Sequence, residues 1–423
     1  MKRILFIAPE AFPVMTSESI CNSKVAYALA EAGYYVDVFT CDDRETYPED
    51  NRIDAFLRCH ENLKIHPIKN SKIILSRKFS IKVNVVNLFK NLSILLRTGY
   101  WYNGISIPYA IYQAIEEHCK EIGGFRYDIM ITRATYCDLA AILLKRKYGV
   151  FWNANWNDPF PDRKFPEPYG RGSDTKLPYF ENRIFNEIQK RVDLHTFPSE
   201  RLRDYQLKCF KYVSLEKTLI IPHMAHSSIL SLVTRSKKSD GVFRMAHCGS
   251  VNYPRNPRNF LIALSKISQE LHITDKEFKC YFVGRYDEDL DALIKELNLS
   301  SIVELLPPMS YSDSLGFLST CDISLIIEAI CDEGIYLPTK FVDAVQISIP
   351  IFCVSPKNGT LPDMIKRYNI GYCCDNTSIE DISKALYKLF IDIGSHNVPK
   401  LESGVPSYFY ESSIIRLFKS FIL

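Results

Sequence analysis

The sequence predicts an α/β protein of two doubly wound, Rossmann-like domains facing across a cleft. Three observations carry this reading. The chain has 423 residues, too many for one ordinary hydrophobic core. Short apolar runs alternate with helical patterns from end to end, as parallel sheets require. The alternation is interrupted by a polar, basic stretch at 234–241, with Arg235, Lys237 and Lys238, and then restarts. The expected domains are 1–234 and 241–405, with 406–423 a C-terminal helix packing back on the first.

In the first half, 3–8 reads as a strand. Ser17 or Ser19 can cap the helix that follows through Ala26, Leu29 and Ala30, and Gly33 ends it. Residues 35–40 form a second strand, completing a βαβ unit, and 128–132, 150–155, 194–198 and 219–222 continue the series. In the second half 243–248, 280–283, 303–306, 323–327 and 351–354 each precede a helical segment. Such sheets bind ligands beyond the carboxyl ends of their strands.

Composition narrows the function. Hydrophobic residues at 47% and charged residues at 24% suit a soluble globular chain. A net charge of +3 is too small to imply nucleic acid. The apolar run 4–8, ended by Pro9, is short for a signal peptide, and no stretch is long enough to span a membrane. Thirteen cysteines without a CxxC pair suggest neither a disulfide framework nor a cysteine zinc site, and a reducing cytoplasm fits them. Cys373 and Cys374 sit in a strand-like run and read as core.

The chemistry concentrates in the second half. A strand runs into Gly249, Ser250, Val251, Asn252, Tyr253, Pro254 and Arg255, and a helix starts near Pro257. A glycine at such a turn lets a ligand approach the backbone, and the helix N-terminus attracts anions. Arg255 and Arg258 flank that N-terminus, and guanidinium matches phosphate oxygens. An ordinary βα turn with solvated arginines fits equally. After the strand ending near Ile327 come Glu328, then Cys331, Asp332, Glu333, Gly334, Ile335, Tyr336, Leu337, Pro338, Thr339, Lys340 and, further on, Asp343. Pro338 suits a helix start, so Glu333 falls in a loop at the ligand end of the sheet and Asp343 on the helix. Carboxylates suit sugar and ribose hydroxyls; an acidic loop with a surface Asp is the plain alternative.

The order strand–Gly249–Ser250–Arg255–helix, strand–Val283–Gly284–Arg285, Pro307–Pro308 before a helix, then Glu333–Gly334–Pro338–Lys340–Asp343, resembles the donor domain of family 4-type GT-B glycosyltransferases. The likeness extends over nearly the whole chain, and 348–351 resembles that family's turn into the next strand. It implies a sugar transferase using a nucleotide-sugar as substrate, with retention of configuration and neither metal nor cofactor. By resemblance, Glu333 contacts the donor sugar. Backbone amides at Gly334, Ile335 and Tyr336 bind sugar hydroxyls or phosphate. Arg255, with Arg258, Arg285, Lys340 and the Gly249 turn, holds the diphosphate, and Asp343 grips the ribose. Asp343 stands where the family usually has Glu, one methylene longer. The family's spacing counted from Glu333 lands on Phe341, and Asp343 aligns from Lys340 instead.

In the first half the family's loop glycine pair is replaced by Pro9, Phe12, Pro13, Thr16, Ser17 and Ser19. Asn155 to Phe160 follow a strand, and Asp158–Pro159–Phe160 is similar to an Arg-Asp-Pro-Trp-like motif in part of the family. A carboxylate there can take the acceptor's proton, so Asp158 is the second catalytic candidate; an Asx turn before proline is the alternative. Arg133 and Asn157 are expected on the acceptor side. His223 and His226, three apart, lack a third ligand nearby, and no metal is expected on them.

From residue 62 to 115 there is no acidic residue, but Lys64, Lys69, Lys72, Arg77, Lys78, Lys82, Lys90 and Arg97 are present. Ile81, Val85, Leu88, Phe89, Leu92, Leu95 and Leu96 interleave at helical spacing. Such a basic amphipathic helix, at 72–97, suits an anionic membrane surface; a solvated basic face over core packing is the alternative. The expected partners are a nucleotide-sugar donor and a saccharide or lipid-linked acceptor, as in bacterial polysaccharide or lipopolysaccharide synthesis, at the inner face of the cell membrane. A non-hydrolysing sugar-nucleotide 2-epimerase and an inactive binding protein on the same fold are the rival readings.

Overall fold

The computed structural model describes residues 2–41, 50–68, 81–102, 104–133, 137–233, 240–401 and 407–422, with the side chains of 81–87 set aside. Residues 234–239, and Lys69, Lys72, Arg77 and Lys78, lie outside the described residues. The chain divides into two units, Met1–Pro166 with Gly170–Ile221 and Ile415–Leu423, and Glu167–Tyr169 with Pro222–Ile414.

The first unit runs β1 (Arg3–Ile7), α1 (Ser17–Glu31), β2 (Tyr35–Cys41), α2 (Asn51–Arg58), β3 (Leu63–Ile68), α3 (Ile81–Thr98), α4 (Ser106–Glu121), β4 (Ile129–Arg133), α5 (Asp138–Tyr148), β5 (Phe151–Asn155), α6 (Tyr179–Arg191), β6 (Leu194–Phe197), α7 (Glu200–Cys209) and β7 (Thr218–Ile220). Its sheet is parallel, in the order β3-β2-β1-β4-β5-β6-β7. Ile4 to Ile7 are fully buried, as a central strand covered on both faces must be. Trp152 on β5 is buried with its indole N–H donated to Thr132 Oγ1 at 2.9 Å.

The cap of α1 is Thr16 rather than Ser17 or Ser19. Ser19 donates its backbone N–H to Thr16 Oγ1 at 3.1 Å, and Ser19 Oγ accepts from Thr16 N at 2.7 Å. Ser19 is thus the returning member of a capping box, which leaves the cap to the residue three before it. Strand β3 is an element the sequence pattern did not yield. Its lysine, histidine and proline suit an edge strand and dilute the apolar signal.

The second unit runs β8 (Phe243–Cys248), α8 (Arg258–Glu270), β9 (Phe278–Val283), α9 (Leu290–Glu296), β10 (Val303–Leu306), α10 (Tyr311–Leu318), β11 (Ile323–Ile327), α11 (Thr339–Ile347), β12 (Ile351–Ser355), α12 (Thr360–Tyr368), β13 (Gly371–Asp375) and α13 (Ile379–Gly394); α14 (Glu411–Lys419) follows. Its parallel sheet has the order β10-β9-β8-β11-β12-β13. Phe260 on α8 packs edge-on to Phe282 and Phe352, at 6.4 and 6.2 Å between ring centroids, and pins the helix to the sheet. Ser348 takes a left-handed conformation (φ 61°) to end α11 and turn the chain into β12.

In both sheets the strand order reverses direction beside the first strand, between β1 and β4 and between β8 and β11. The crevice outside the carboxyl ends of strands at such a point is where doubly wound sheets take ligands. No helix among the described residues is long and apolar enough to cross a membrane.

Candidate functional site

In the second unit the carboxyl end of β8 opens into Gly249, whose φ of +129° suits glycine alone. Its N–H donates to Val283 O at 2.7 Å. The loop after β9 lies tight against it, since a Cβ on Gly284 would stand 2.4 Å from Gly249 O. Two glycines without side chains thus let the turns after β8 and β9 touch backbone to backbone.

Onto this floor the fold gathers charge. Lys340, in the first turn of α11, reaches back to Gly249, where a Cβ would meet its Nζ at 2.8 Å. Arg255 pairs with Glu328, Nε to Oε1 at 3.6 Å. Glu328 is the residue immediately after β11 and is buried, with Asn376 Nδ2 donating to its carbonyl at 3.1 Å. The Arg255 guanidinium stands 5.6 Å from the ring centroid of Tyr169, which meets Tyr336 edge-on at 5.2 Å.

The electrostatics follow from burial. Desolvation pushes the Glu328 carboxyl above its ordinary range, against the pull of Arg255 and Lys340. Desolvation and the Arg255 charge hold the Lys340 ammonium below the ordinary lysine range, while Glu328 and Asp343 oppose them. His247 on β8 is fully buried, and desolvation with the Lys340 charge holds it far below its ordinary value. It is therefore a neutral imidazole at neutral pH, with Nδ1 donating to Leu325 O at 3.0 Å. Arg255 and Lys340 thus stand beside the buried Glu328 carboxylate, with Asp343 also acting on Lys340, so two cations are held in place by carboxylates at the Gly249 turn.

The remaining candidates distribute around this centre. Asp343 lies one helical turn beyond Lys340 and accepts from Tyr311 Oη at 2.6 Å. Glu333 is half-buried in the loop between β11 and α11. That loop is tied down by Gly334 N donating to Asn358 O at 2.9 Å, Thr360 N to Gly334 O at 2.7 Å, and Thr360 Oγ1 to Ile335 O at 3.0 Å. Arg258 and Arg285 are exposed, the latter accepting at its carbonyl from Val251 N at 2.8 Å. The structure therefore brings Gly249, Arg255 and Lys340 together, and sets Arg258 and Arg285 at the solvent rim. The sequence reading gave no role to Glu328, His247, Tyr169 or Tyr311; of these, only Glu328 carried a signal, a carboxylate directly after a strand.

In the first unit Glu18 and Asn22 stand one turn apart on α1. Asn157 Nδ2 donates to both Glu18 oxygens, at 2.8 and 2.9 Å, and Asn22 Nδ2 donates to Oε1 at 2.9 Å. Arg133, the last residue of β4, is buried and donates through Nε to Asn22 Oδ1 at 2.5 Å. Burial pushes the Glu18 carboxyl up, and the Arg133 charge pulls it down. Arg133, expected on the acceptor side, is thus buried at the end of β4 and joined to this network. Asp158 is exposed beside Asn157. In the second unit His223 and His226 are buried, and His226 N donates to Gln346 Oε1 at 2.9 Å.

Residues 234–398 match the family described as "Glycosyl transferases group 1". No curated protein sequence matches the chain. Among solved structures, sucrose-phosphate synthase from Thermosynechococcus elongatus is similar at a TM-score of 0.68 and 13% identity, over 100% of this chain and 98% of that one. Anabaena HepE, in complex with UDP and glucose, gives 0.64 and 12%, over 99% of each chain. The lipopolysaccharide outer core galactosyltransferase WaaB gives 0.59 and 16%, over 99% of this chain and 98% of that one. Residues 234–398, which hold the second sheet and its charged floor, thus match the group 1 glycosyl transferases, and the chain as a whole has the fold of the GT-B glycosyltransferases.

Proposed function

We propose that the chain moves a sugar from a nucleoside-diphosphate donor to a saccharide or lipid-linked acceptor, with retention of anomeric configuration, in the synthesis of a bacterial surface polysaccharide or lipopolysaccharide. The observation that carries the reading is the pairing of Arg255 and Lys340 over the Gly249 turn. A leaving diphosphate gains charge as the glycosidic bond breaks, and preorganised cations in a partly dry site stabilise that charge most. Those side chains supply the charge without a metal cofactor. The α8 N-terminus adds its dipole.

In this reading Glu333 accepts hydrogen bonds from the donor sugar, the amides of Gly334 to Tyr336 hold its hydroxyls or phosphate, and Asp343 takes the ribose. Asp158 orients the acceptor hydroxyl, whose proton passes to a departing phosphate oxygen or to that carboxylate. HepE has been solved in complex with UDP and glucose, and WaaB is a lipopolysaccharide outer core galactosyltransferase, which supports this substrate class.

We further propose that the protein works in a reducing cytoplasm at an anionic membrane face. None of the thirteen cysteines is in a disulfide. On α3, Leu88, Phe89, Leu92 and Leu96 are 54, 67, 42 and 79% exposed, an apolar stripe next to Lys90 and Arg97 that a headgroup boundary would cover.

The test is incubation with a panel of UDP-, GDP- and other activated sugars, following nucleotide release and thermal shift, for wild type and Glu333→Ala. Donor-specific nucleotide release that needs an acceptor, and falls roughly 10- to 150-fold in a stably folded Glu333→Ala variant, is expected, the range that one charged hydrogen bond spans. Epimerised sugar nucleotide without acceptor, or no donor binding at all, would refute the transferase mechanism.

A further inference from the structure

We propose that Asp37, His66 and His118, all in the first unit, form a binding site for one zinc-type divalent ion. The three residues come from β2, β3 and α4, and their candidate ligand atoms all lie within 4.8 Å of one another. Asp37 Oδ1 is 2.8 Å from His66 Nε2 and 3.9 Å from His118 Nε2. The two imidazole centroids are 4.4 Å apart.

Zinc bonds of about 2.0–2.1 Å at the tetrahedral angle place neighbouring ligands about 3.3 Å apart. The two distances to Asp37 straddle that value, so shifts of about half an ångström would close the site. Two imidazoles and one carboxylate, with a position left for water, match zinc's ligand preference; magnesium and calcium want oxygen.

Two further observations point to a ligand. His118 Nε2 is buried and makes no hydrogen bond, a cost that a lone structural histidine normally avoids. The groups behind the ligands are also in place. Arg3 holds the other Asp37 oxygen, Oδ2, through Nε at 2.8 Å and a terminal nitrogen at 2.7 Å, which leaves Oδ1 to face the histidines. Glu121 Oε2 stands 3.8 Å from His118 Nδ1, on the side where a carboxylate orients a metal-bound imidazole. The Arg3 charge weakens cation binding and Glu121 offsets it. A bound ion would clamp the β2–β3 edge of the sheet to α4.

The experiment uses the full chain, stripped with a chelator and titrated with Zn²⁺ and, separately, with Mg²⁺. Wild type is expected to bind one Zn²⁺ and to unfold at a higher temperature with it, while Mg²⁺ changes nothing. His66→Gln and His118→Gln are each expected to lose more than about 100-fold in affinity, beyond what changes behind the ligands cost. His66 is on an edge strand and a quarter exposed, so its variant keeps the test open if His118→Gln does not fold. Co²⁺ substitution should give tetrahedral d–d bands without thiolate charge transfer. No zinc binding, binding that survives in the variants, or a cobalt–thiolate band would overturn the assignment.

Discussion

Lys340 lies against Gly249 so closely that a Cβ at the glycine would stand 2.5 Å from Lys340 Cε. The glycine therefore does two things at once: it supplies the left-handed turn after β8, and it vacates the volume that the lysine stem fills. Gly249→Ala is expected to cost about 1–3 kcal/mol of unfolding free energy from backbone strain. It should also weaken nucleoside diphosphate binding, because the ammonium must move. Urea unfolding and calorimetric titration with UDP and GDP measure the two effects. A destabilised variant with unchanged diphosphate affinity would place Lys340 outside the binding site.

Arg255 is held by Glu328 at 3.6 Å and backed by the Tyr169 ring. Arg255→Ala should weaken nucleoside diphosphate binding by roughly 10- to 150-fold, the worth of a charge-assisted phosphate contact of about 1.5–3 kcal/mol. Free nucleoside binding should change far less. Equal losses for both ligands would make the residue a structural one.

Glu328 gives the pH dependence a sign. Its carboxyl is raised above the ordinary 4.5, first by burial. The folded state then holds this proton more tightly than the unfolded state. Stability contributed at this position falls as pH rises above about 4.5, and levels off beyond the folded-state value. Subtracting Glu328→Gln from wild type in urea unfolding between about pH 4 and 8 should isolate that decline. A difference that is flat, or that rises with pH, would show the carboxylate to be stabilised by Arg255 and Lys340 more than it is desolvated.

Periodicity revealed the strands that are buried on both faces, such as 243–248 and 323–327, because unbroken apolar runs have few other uses. It passed over β3, whose Lys64, His66 and Pro67 make an edge strand resemble a loop. The turn motifs placed Gly249, Arg255 and Lys340 in one neighbourhood, since each sits where a strand ends or a helix begins. What a single sequence hides is pairing across distance. Glu328 as the partner of Arg255, Tyr311 as that of Asp343, and Glu18 as that of Asn157 join segments whose spacing carries no pattern. The same holds for Asp37, His66 and His118: metal motifs are recognisable when ligands share one turn or loop, and these come from two strands and a helix.

Arg133 is a buried cation of the first unit whose removal is measurable. It is 3% exposed and sits in the network of Asn22, Glu18 and Asn157. Arg133→Met would leave Glu18 without its neighbouring cation. Removing the buried donor leaves Asn22 Oδ1 without its hydrogen bond, which costs about 1–3 kcal/mol, so a loss of that size is expected in urea unfolding. Glu18→Gln combined with Arg133→Met should recover part of it. A fully stable Arg133→Met variant with weakened acceptor kinetics would instead return the residue to a binding role.

The exposed stripe on α3 makes the membrane proposal measurable. Leu88, Phe89, Leu92 and Leu96 recur along one side of the helix, while Ile94 is buried on the other. The helix therefore spends only part of its apolar surface on its own unit. Burying apolar area contributes roughly 25 cal/mol per Å², and each basic residue near an anionic surface adds about 1 kcal/mol. Lys90 and Arg97 supply charge beside the stripe. Lys72, Arg77 and Lys78 precede the helix in sequence, and Lys82 lies in its first turns. Co-sedimentation with anionic liposomes should be strong at low salt and should fall as salt rises, because exposed charges are screened within about 10 Å at 0.1 M. Two variants separate the contributions. Changing Lys72, Arg77, Lys78 and Lys82 to Gln should abolish the preference for anionic over neutral lipid. Changing Phe89 and Leu96, the two most exposed of the four, to Ser should weaken binding to both and leave the unfolding temperature near wild type, since those side chains are largely in water already. Equal pelleting with neutral and anionic liposomes, unchanged in either variant, would mean that α3 meets no membrane, and the case for a lipid-linked acceptor would then rest on substrate assays alone.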